Sequence, residues 1–208
     1  MTFPKFSTTD KTIRAVLIQQ LGMEYKDHSK TAIIPEFTLP NGLARIDIAV
    51  VNGIMHGYEL KSDLDNLFRL KSQMDAYNLI FDKVTLVVGK KHVIEALDLI
   101  PQWWGITIAK SLGNAKEPLL IEIRKAEDNP EQDMYTIANL LWKIEALEIL
   151  SKINESKNLK SKQKRIICKK LAECLGEQEL KDYVREQLIK RSINANFRSV
   201  EELKRYDD

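Results

Sequence analysis

Asp47, Glu59, Lys61, Gln73 and Tyr77 are the side chains of this 208-residue sequence whose types and spacing support chemistry. The carboxylates of Asp47 and Glu59 are hard oxygen donors of the kind Mg²⁺ takes, an ion that keeps several waters and needs only one or two carboxylates beside a substrate phosphate. Lys61, two residues beyond Glu59, places an ammonium where it can orient a water or steady charge developing on a phosphate. Gln73 and Tyr77 stand four apart and share a face if the segment is helical. An amide and a phenol there can hydrogen-bond the carboxylate, the lysine or a nucleic-acid backbone; packing of both on a sheet is the plainer alternative. Glu36 is a further acidic candidate for the same cation, with a strand-edge glutamate in water as its rival reading. Arg45 suits a phosphate or, equally, a salt bridge to a carboxylate.

Positioning these residues requires two strands and a helix. Leu43 to Val51 and Ile54 to Lys61 read as a hairpin around Asn52-Gly53, a strong hairpin signal. A two-residue loop would pair Val51 with Ile54 and turn Glu59 to the face opposite Asp47, because strand side chains alternate. If both carboxylates serve one cation, the loop must be odd, with 51 opposite 55 and 47 opposite 59, or one strand must bulge; the chemistry selects the odd loop. Ser62 and Asp63 offer caps for a helix from about Leu64 to Ile80. Leu64, Leu67 and Phe68 lead its core stripe, and Asn66, Arg69 or Leu70, Gln73 and Tyr77 trace a second.

This pattern resembles the PD-(D/E)xK nuclease superfamily, Asp47 standing as its acidic strand residue, Glu59-Leu60-Lys61 as its E-x-K, and Gln73-x-x-x-Tyr77 as the Q-x-x-x-Y signature of the RecB-like branch. The context (Glu36-Phe37, Arg45-Ile46-Asp47, Glu59 to Asp63, Arg69-Leu70, Gln73) is also similar to small bacterial and phage-associated members of that superfamily. E-x-K alone carries little, since it occurs five times, at Glu24, Glu59, Glu155, Glu179 and Glu202. Only Glu59 follows an extended segment bearing an Asp and precedes a helix with Q-x-x-x-Y. The resemblance implies an α/β, restriction-endonuclease-like core of α-β-β-β-α-β order with a mixed central sheet. It also implies a cation, Mg²⁺ or Mn²⁺, held by Asp47, Glu59 and the Leu60 carbonyl, with Glu36 as a candidate fourth donor.

Elsewhere, Thr8, Thr9 or Asp10 can cap a first helix with Ile13, Val16, Leu17 and Leu21 inward and Gly22 as its stop. Thr31 to Leu39 reads as a strand in which Pro35 argues for an edge or a bulge. Lys83 to Val88 is a continuous apolar strand, and the helix before it favours parallel pairing. His92 to Ile100 is a short helix with Val93, Ile94 and Leu97 inward; Ile106 to Ala109 and Leu119 to Arg124 are strands. Trp103-Trp104 can stack on bases, or supply a core residue. Residues 1–128 are the expected core, 129–133 a polar linker, and 134–208 an all-α module with helices over 134–152, 160–175 and 177–191 and a polar tail.

The net charge of +2 conceals an uneven distribution: residues 152–170 carry eight Lys or Arg against one Glu, leaving −5 for the remainder. A basic stretch including Lys160, Lys162, Lys164 and Arg165 suits a polyanion, and a solvated helix face is its alternative. No run approaches the ~20 apolar residues of a membrane span, and the amino terminus lacks a signal-peptide core, so a cytoplasmic protein is expected. Cys168 and Cys174 read as reduced thiols, and the scattered His28, His56 and His92 assemble no triad or zinc site. The expected function is Mg²⁺-dependent hydrolysis of DNA phosphodiester bonds, RNA remaining open, with Asp47, Glu59, Lys61, Gln73 and Tyr77 catalytic and Arg45 and Arg69 on the nucleic acid. Its rivals are a non-cleaving nucleic-acid-binding module of the same fold and a module that binds or inhibits a protein partner.

Overall fold

The computed structural model describes residues 7–113 and 117–204. Thr9 caps α1 (Asp10–Glu24) in a reciprocal bond with Thr12, and Ile13, Val16, Leu17 and Leu21 are its buried stripe. Gly22 does not stop the helix, which runs one half-turn further. Strands β1 (Ala32–Thr38), β2 (Arg45–Val51) and β3 (Met55–Lys61) follow, then α2 (Leu70–Asn78), β4 (Lys83–Gly89), α3 (Val93–Leu99), β5 (Gly105–Lys110) and β6 (Leu119–Arg124). The first six major elements thus run α-β-β-β-α-β, as expected. The sheet has six strands in sequence order. It is mixed: β1, β2 and β3 are antiparallel neighbours, β3–β4 and β4–β5 are parallel, and β6 returns antiparallel.

The hairpin takes the odd loop. Val51 pairs with Met55 and Ile48 with Tyr58, the loop residues Asn52 and Ile54 bonding each other through backbone and Asn52 Oδ1. The core decides against the two-residue turn: Met55 is buried beside Val51, and its N–H is held by Asp82 Oδ2 at 2.7 Å. Pairing Val51 with Ile54 would place Met55 opposite Val50 and move it to the face that meets α1.

Alternation along the strands sorts the core into two layers. Ile48, Val50, Leu60 and Val87 meet α1 on one face. Ile46, Ala49, Val51, Leu86 and Val88 belong to a larger cluster on the other, with Tyr77, Phe81 and Trp104. Trp104 is thereby a core residue, stacked on Tyr77 with its indole N–H on Asn78 Oδ1 at 3.0 Å, and is not available to bases. That larger cluster continues into α4 (Met134–Ala138), α5 (Lys143–Lys152), α6 (Lys164–Cys174) and α7 (Glu177–Lys204) through Ile137, Leu141, Ile149, Leu150, Ile167, Leu171, Leu180 and Val184. The segment expected as a linker is tied down: Asn129 Nδ2 donates to the carbonyls of Asn78 and Phe81, and Gln132 Nε2 to that of Ile80. The helices therefore cover the sheet instead of standing apart from it.

Four of the expected helices need correction. Helix α2 begins at Leu70, not Leu64, because Ser62 and Asp63 are occupied elsewhere: Ser62 N–H and O–H go to Asp65 Oδ2, and Asp63 Oδ2 accepts from the N–H and O–H of Thr8. Of the core stripe expected there, Leu67 alone is inside, with Leu64 69% and Phe68 90% exposed. On α3, Ile94 and Leu97 are exposed while Ala96 takes the inward position. The last expected helical stretch does not end near 191; no Gly or Pro interrupts 177–204, and α7 continues to Lys204. The first expected helix of the C-terminal half is broken at Asn139–Trp142 into α4 and α5.

Candidate functional site

Both carboxylates are placed where β2 and β3 part. The strand pairing ends at Ile48–Tyr58, and beyond it the N–H of Leu60 is taken by Asp47 Oδ2 at 2.7 Å. A slip in alternation turns Asp47 this way. In β1, Ile33 packs with the α1 layer, yet Phe37, four residues on, packs with the opposite layer; in β2, Ile46 and Ile48 likewise fall on opposite faces. Both slips meet at the Glu36–Asp47 position, missing from the otherwise continuous register. Glu36 is in the left-handed region there, with φ of 52°, a conformation costly to a residue with a Cβ. Pro35 is thus both on an edge strand and next to an irregularity, as its presence in a strand implied.

Glu59 lies on the face covered by α2 and is 2% exposed. Its Oε1 accepts from Lys61 Nζ at 2.6 Å and from Gln73 Nε2 at 2.7 Å, and its Oε2 from Tyr77 OH at 2.7 Å. Gln73 Oε1 in turn accepts from Lys61 Nζ at 2.9 Å. The Tyr77 oxygen also lies 3.0 Å from the Arg45 carbonyl, but a phenol has one proton, and the shorter contact to a charged acceptor takes it. Gln73 and Tyr77 therefore hold the carboxylate and the lysine, in place of the bare packing that was their plainer reading. Burial pushes the Glu59 carboxyl up from its ordinary value, reinforced by the charge of Asp47 and opposed by Lys61 and Tyr77. Burial against Glu59 also drives the Tyr77 phenol far up, so it stays a donor.

Asp47 is held from the other side by Arg14 of α1, a residue that sequence reasoning missed. Arg14 Nη2 lies 2.6 Å from Asp47 Oδ1 and 2.9 Å from Asp10 Oδ2, and Nη1 donates to the Asp47 carbonyl at 2.9 Å and meets Glu36 Oε1 at 2.8 Å. Its spacing from Asp10 marks only an ordinary helical ion pair; nothing local shows that the first turns of α1 lie over the Asp47 position. Burial raises the Asp47 carboxyl, with the Leu60 N–H and Arg14 pulling against it. For Arg14, burial disfavours the charge but Asp10 and Asp47 outweigh it, and the guanidinium stays protonated. Arg45 pairs with Glu36 Oε2 at 2.7 Å, the salt-bridge alternative. Glu36, weighed as a cation ligand, is thus shared by two arginines.

Asp47, Glu59, Leu60, Lys61 and Gln73 line one cavity of about 550 Å³, whose remaining wall includes Arg14, Glu36, Arg45, Asp65 and Arg69. Tyr77 is behind the wall, fully buried. The basic stretch does not line this cavity: Lys160, Lys162 and Arg165 are exposed elsewhere, and Lys164 Nζ donates to the Asn139 carbonyl at 2.7 Å. Among the described residues no group of three or more His, Cys, Asp or Glu is gathered to hold a metal ion. Two carboxylates and a backbone carbonyl remain as a smaller donor set of the kind that suits Mg²⁺ with its waters. The mutual repulsion that raises Glu59 is also what a cation would relieve.

Fold and site together define a mixed α/β protein with a charged cavity at the open end of its central hairpin. A family model described as bacteriophage P4 protein cII matches residues 5–205, and the chain belongs to that family. It is 39% identical over 67 residues to the protein cII of Enterobacteria phage P4, an alignment spanning 32% of this chain and 25% of that protein. Among solved structures, a protein of unknown function from Silicibacter pomeroyi overlaps 71% of this chain and 94% of its own length at 16% identity, with a TM-score of 0.39. No helix among the described residues is long and apolar enough to cross a membrane.

Proposed function

We propose that this protein is a cation-dependent nuclease with a restriction-endonuclease-like core, hydrolysing phosphodiester bonds of DNA or RNA. One observation carries the reading: Asp47, Glu59, Lys61 and Gln73, chosen from the sequence for their chemistry, line the same cavity. The α-β-β-β-α-β order and the resemblance of the motif support it. Asp47, Glu59 and the Leu60 carbonyl would hold Mg²⁺ or Mn²⁺, which supplies charge stabilisation at the phosphate and a more acidic water. Lys61 Nζ, fixed by Glu59 and Gln73, orients the attacking water from its remaining proton. Tyr77 and Gln73 hold Glu59 in place, Arg14 does the same for Asp47, and Arg45 and Arg69 face the phosphates flanking the scissile one. Glu36 orients Arg14 and Arg45 and is not assigned to the cation.

The test is a plasmid-nicking and oligonucleotide-cleavage assay with Mg²⁺ or Mn²⁺ and with chelator, on the parent and on Glu59→Gln. Cleavage that needs the cation and is lost in the variant is expected. A second reading has its own observation: every carboxylate oxygen of Asp47 and Glu59 already has an N–H or O–H partner within the chain. A non-cleaving nucleic-acid-binding module of the same fold would keep that closed network. It would bind nucleic acid without cutting it, and neither cation would raise its melting temperature.

A further inference from the structure

The cavity has an amphipathic mouth that the proposed chemistry does not use. Two loops contribute to it. One, between β1 and β2, presents Leu43, 50% exposed, and leads into Arg45 at the start of β2; both line the cavity. The other, between β3 and α2, presents Asp65 and Arg69 to the cavity. It also carries Phe68 at 90% exposure, with Leu64 at 69% close by in the same loop. An aromatic ring almost wholly in water is unusual when the residue beside it, Leu67, is buried and free to anchor the loop alone. The loop itself is built: Asp65 Oδ2 holds Ser62, the ring of His92 contacts the Asp65 carbonyl at 2.9 Å, and Phe68 N–H is bonded to Asn66 Oδ1 at 3.2 Å. Phe68 is thus displayed on an organised turn adjoining Arg69.

We infer that this mouth binds a single-stranded nucleic acid, Phe68 stacking on an unpaired base while Arg69 and Arg45 take the adjacent phosphates. The inference rests on the nuclease reading for its site and deepens it by naming the substrate class: single strands, or duplex ends frayed enough to expose a base. The chemistry selects this occupant. A flat exposed ring beside guanidinium groups matches a ligand that alternates a π-face with a phosphate, and stacking on an aromatic side chain tolerates any base. In continuous duplex the base faces are covered by their neighbours, so Phe68 would gain nothing. A purely apolar partner would bury the charge of Arg69, which has no acidic partner among the described residues, whereas Arg45 keeps Glu36 Oε2 at 2.7 Å.

The experiment is fluorescence anisotropy with a labelled oligothymidine and with a blunt duplex of the same length, in low salt with Ca²⁺ in place of Mg²⁺. The full-length protein is compared with Phe68→Ala, Phe68→Trp and Arg69→Ala. The parent should bind the single strand more tightly than the duplex. Phe68→Ala should lose about 5- to 100-fold of single-strand affinity, the range of one base–aromatic stack, with duplex affinity and melting temperature unchanged. Phe68→Trp should retain binding, and Arg69→Ala should weaken both ligands and flatten the salt dependence. Equal affinity of the parent and Phe68→Ala for the single strand, or tighter binding to duplex, overturns the inference. Failure here leaves the nuclease reading standing if cation-dependent cleavage is seen. Absence of cleavage with the stacking signature intact sinks only the nuclease reading.

Discussion

Glu59 concentrates the competing forces at the residue scale. It is buried beside another carboxylate, and its partners do not fully offset that environment, since its carboxyl is shifted upward. A folded-state pKa above the unfolded one means that ionisation works against the fold. The associated stability is present below the ordinary value of 4.5 and is lost as pH rises through the folded value. The stability of the parent relative to Glu59→Gln should therefore fall across the interval just above pH 4.5, as urea unfolding at a series of pH values would show. At neutral pH Glu59→Gln should remain within ~1 kcal/mol of the parent while abolishing cleavage, because the amide oxygen still accepts from Lys61 and its NH2 can donate to the Tyr77 oxygen, whose proton has the Arg45 carbonyl at 3.0 Å. Glu59→Ala is different. It strands Lys61 and Tyr77 in the interior and should cost roughly 2–4 kcal/mol. Equal losses in both variants would make Glu59 a structural residue and nothing more.

At the scale of elements, the site depends on how β1, β2 and β3 are bent and packed. The left-handed Glu36 is where alternation slips and Asp47 turns toward Leu60. Glu36→Gly removes the Cβ penalty of roughly 1 kcal/mol while deleting the links to Arg14 and Arg45, whereas Glu36→Ala deletes the links and keeps the penalty. Thermal melts should rank the glycine variant above the alanine variant by about that amount; the reverse order would show that the left-handed backbone is not retained in solution. Gly57, in the middle of β3, allows the hairpin to lie against its cover: a Cβ there would come 2.4 Å from Ile46 Cδ1 and 3.2 Å from the Phe81 ring. Gly57→Ala should destabilise by ~1–3 kcal/mol. Because the push falls on Ile46, next to Asp47, it should also reduce activity more than its loss of stability alone explains.

For the whole molecule, the sequence division into a nuclease-like core and a helical module gives way to one shared apolar layer. Ile137, Leu141, Ile149, Leu171 and Val184 join the cluster that holds Val51, Met55 and Phe81. A chain ending at residue 133 would expose that face of the sheet, so it should aggregate or lack a cooperative melt; a soluble, cooperatively folding fragment would restore the modular view. The basic stretch is a separate matter. Lys160, Lys162 and Arg165 are exposed, and their replacement by neutral residues should change stability by less than ~0.5 kcal/mol. If they hold a duplex backbone, salt titrations should show the log–log slope becoming shallower by roughly 0.9 for each phosphate contact removed. An unchanged slope would identify a solvated face. Lys164 is best left intact in that test, since it is engaged with the Asn139 carbonyl.

Local pattern was enough for the elements and for most of the site. Apolar strand-like runs placed the six strands, the helix before Lys83 favoured a parallel neighbour for β4, and Gln73 and Tyr77 were marked by their four-residue spacing as neighbours on one face. The hairpin register was legible only by joining chemistry to alternation, because Asn52-Gly53 by itself favours the shorter loop. Long-range packing decided the rest. Ser62 and Asp63 look like helix caps until Thr8 and Asp65 claim them, and Leu64 and Phe68 look like core until α2 is seen to start at Leu70. Arg14 carries no sign in its neighbours of the Asp47 it holds, 33 residues away. The helices after residue 133 show apolar stripes that one another or a sheet could equally cover. Periodicity specifies which face of an element is apolar, whereas the surface that meets it depends on contacts between distant segments, and those exist only once the chain has folded.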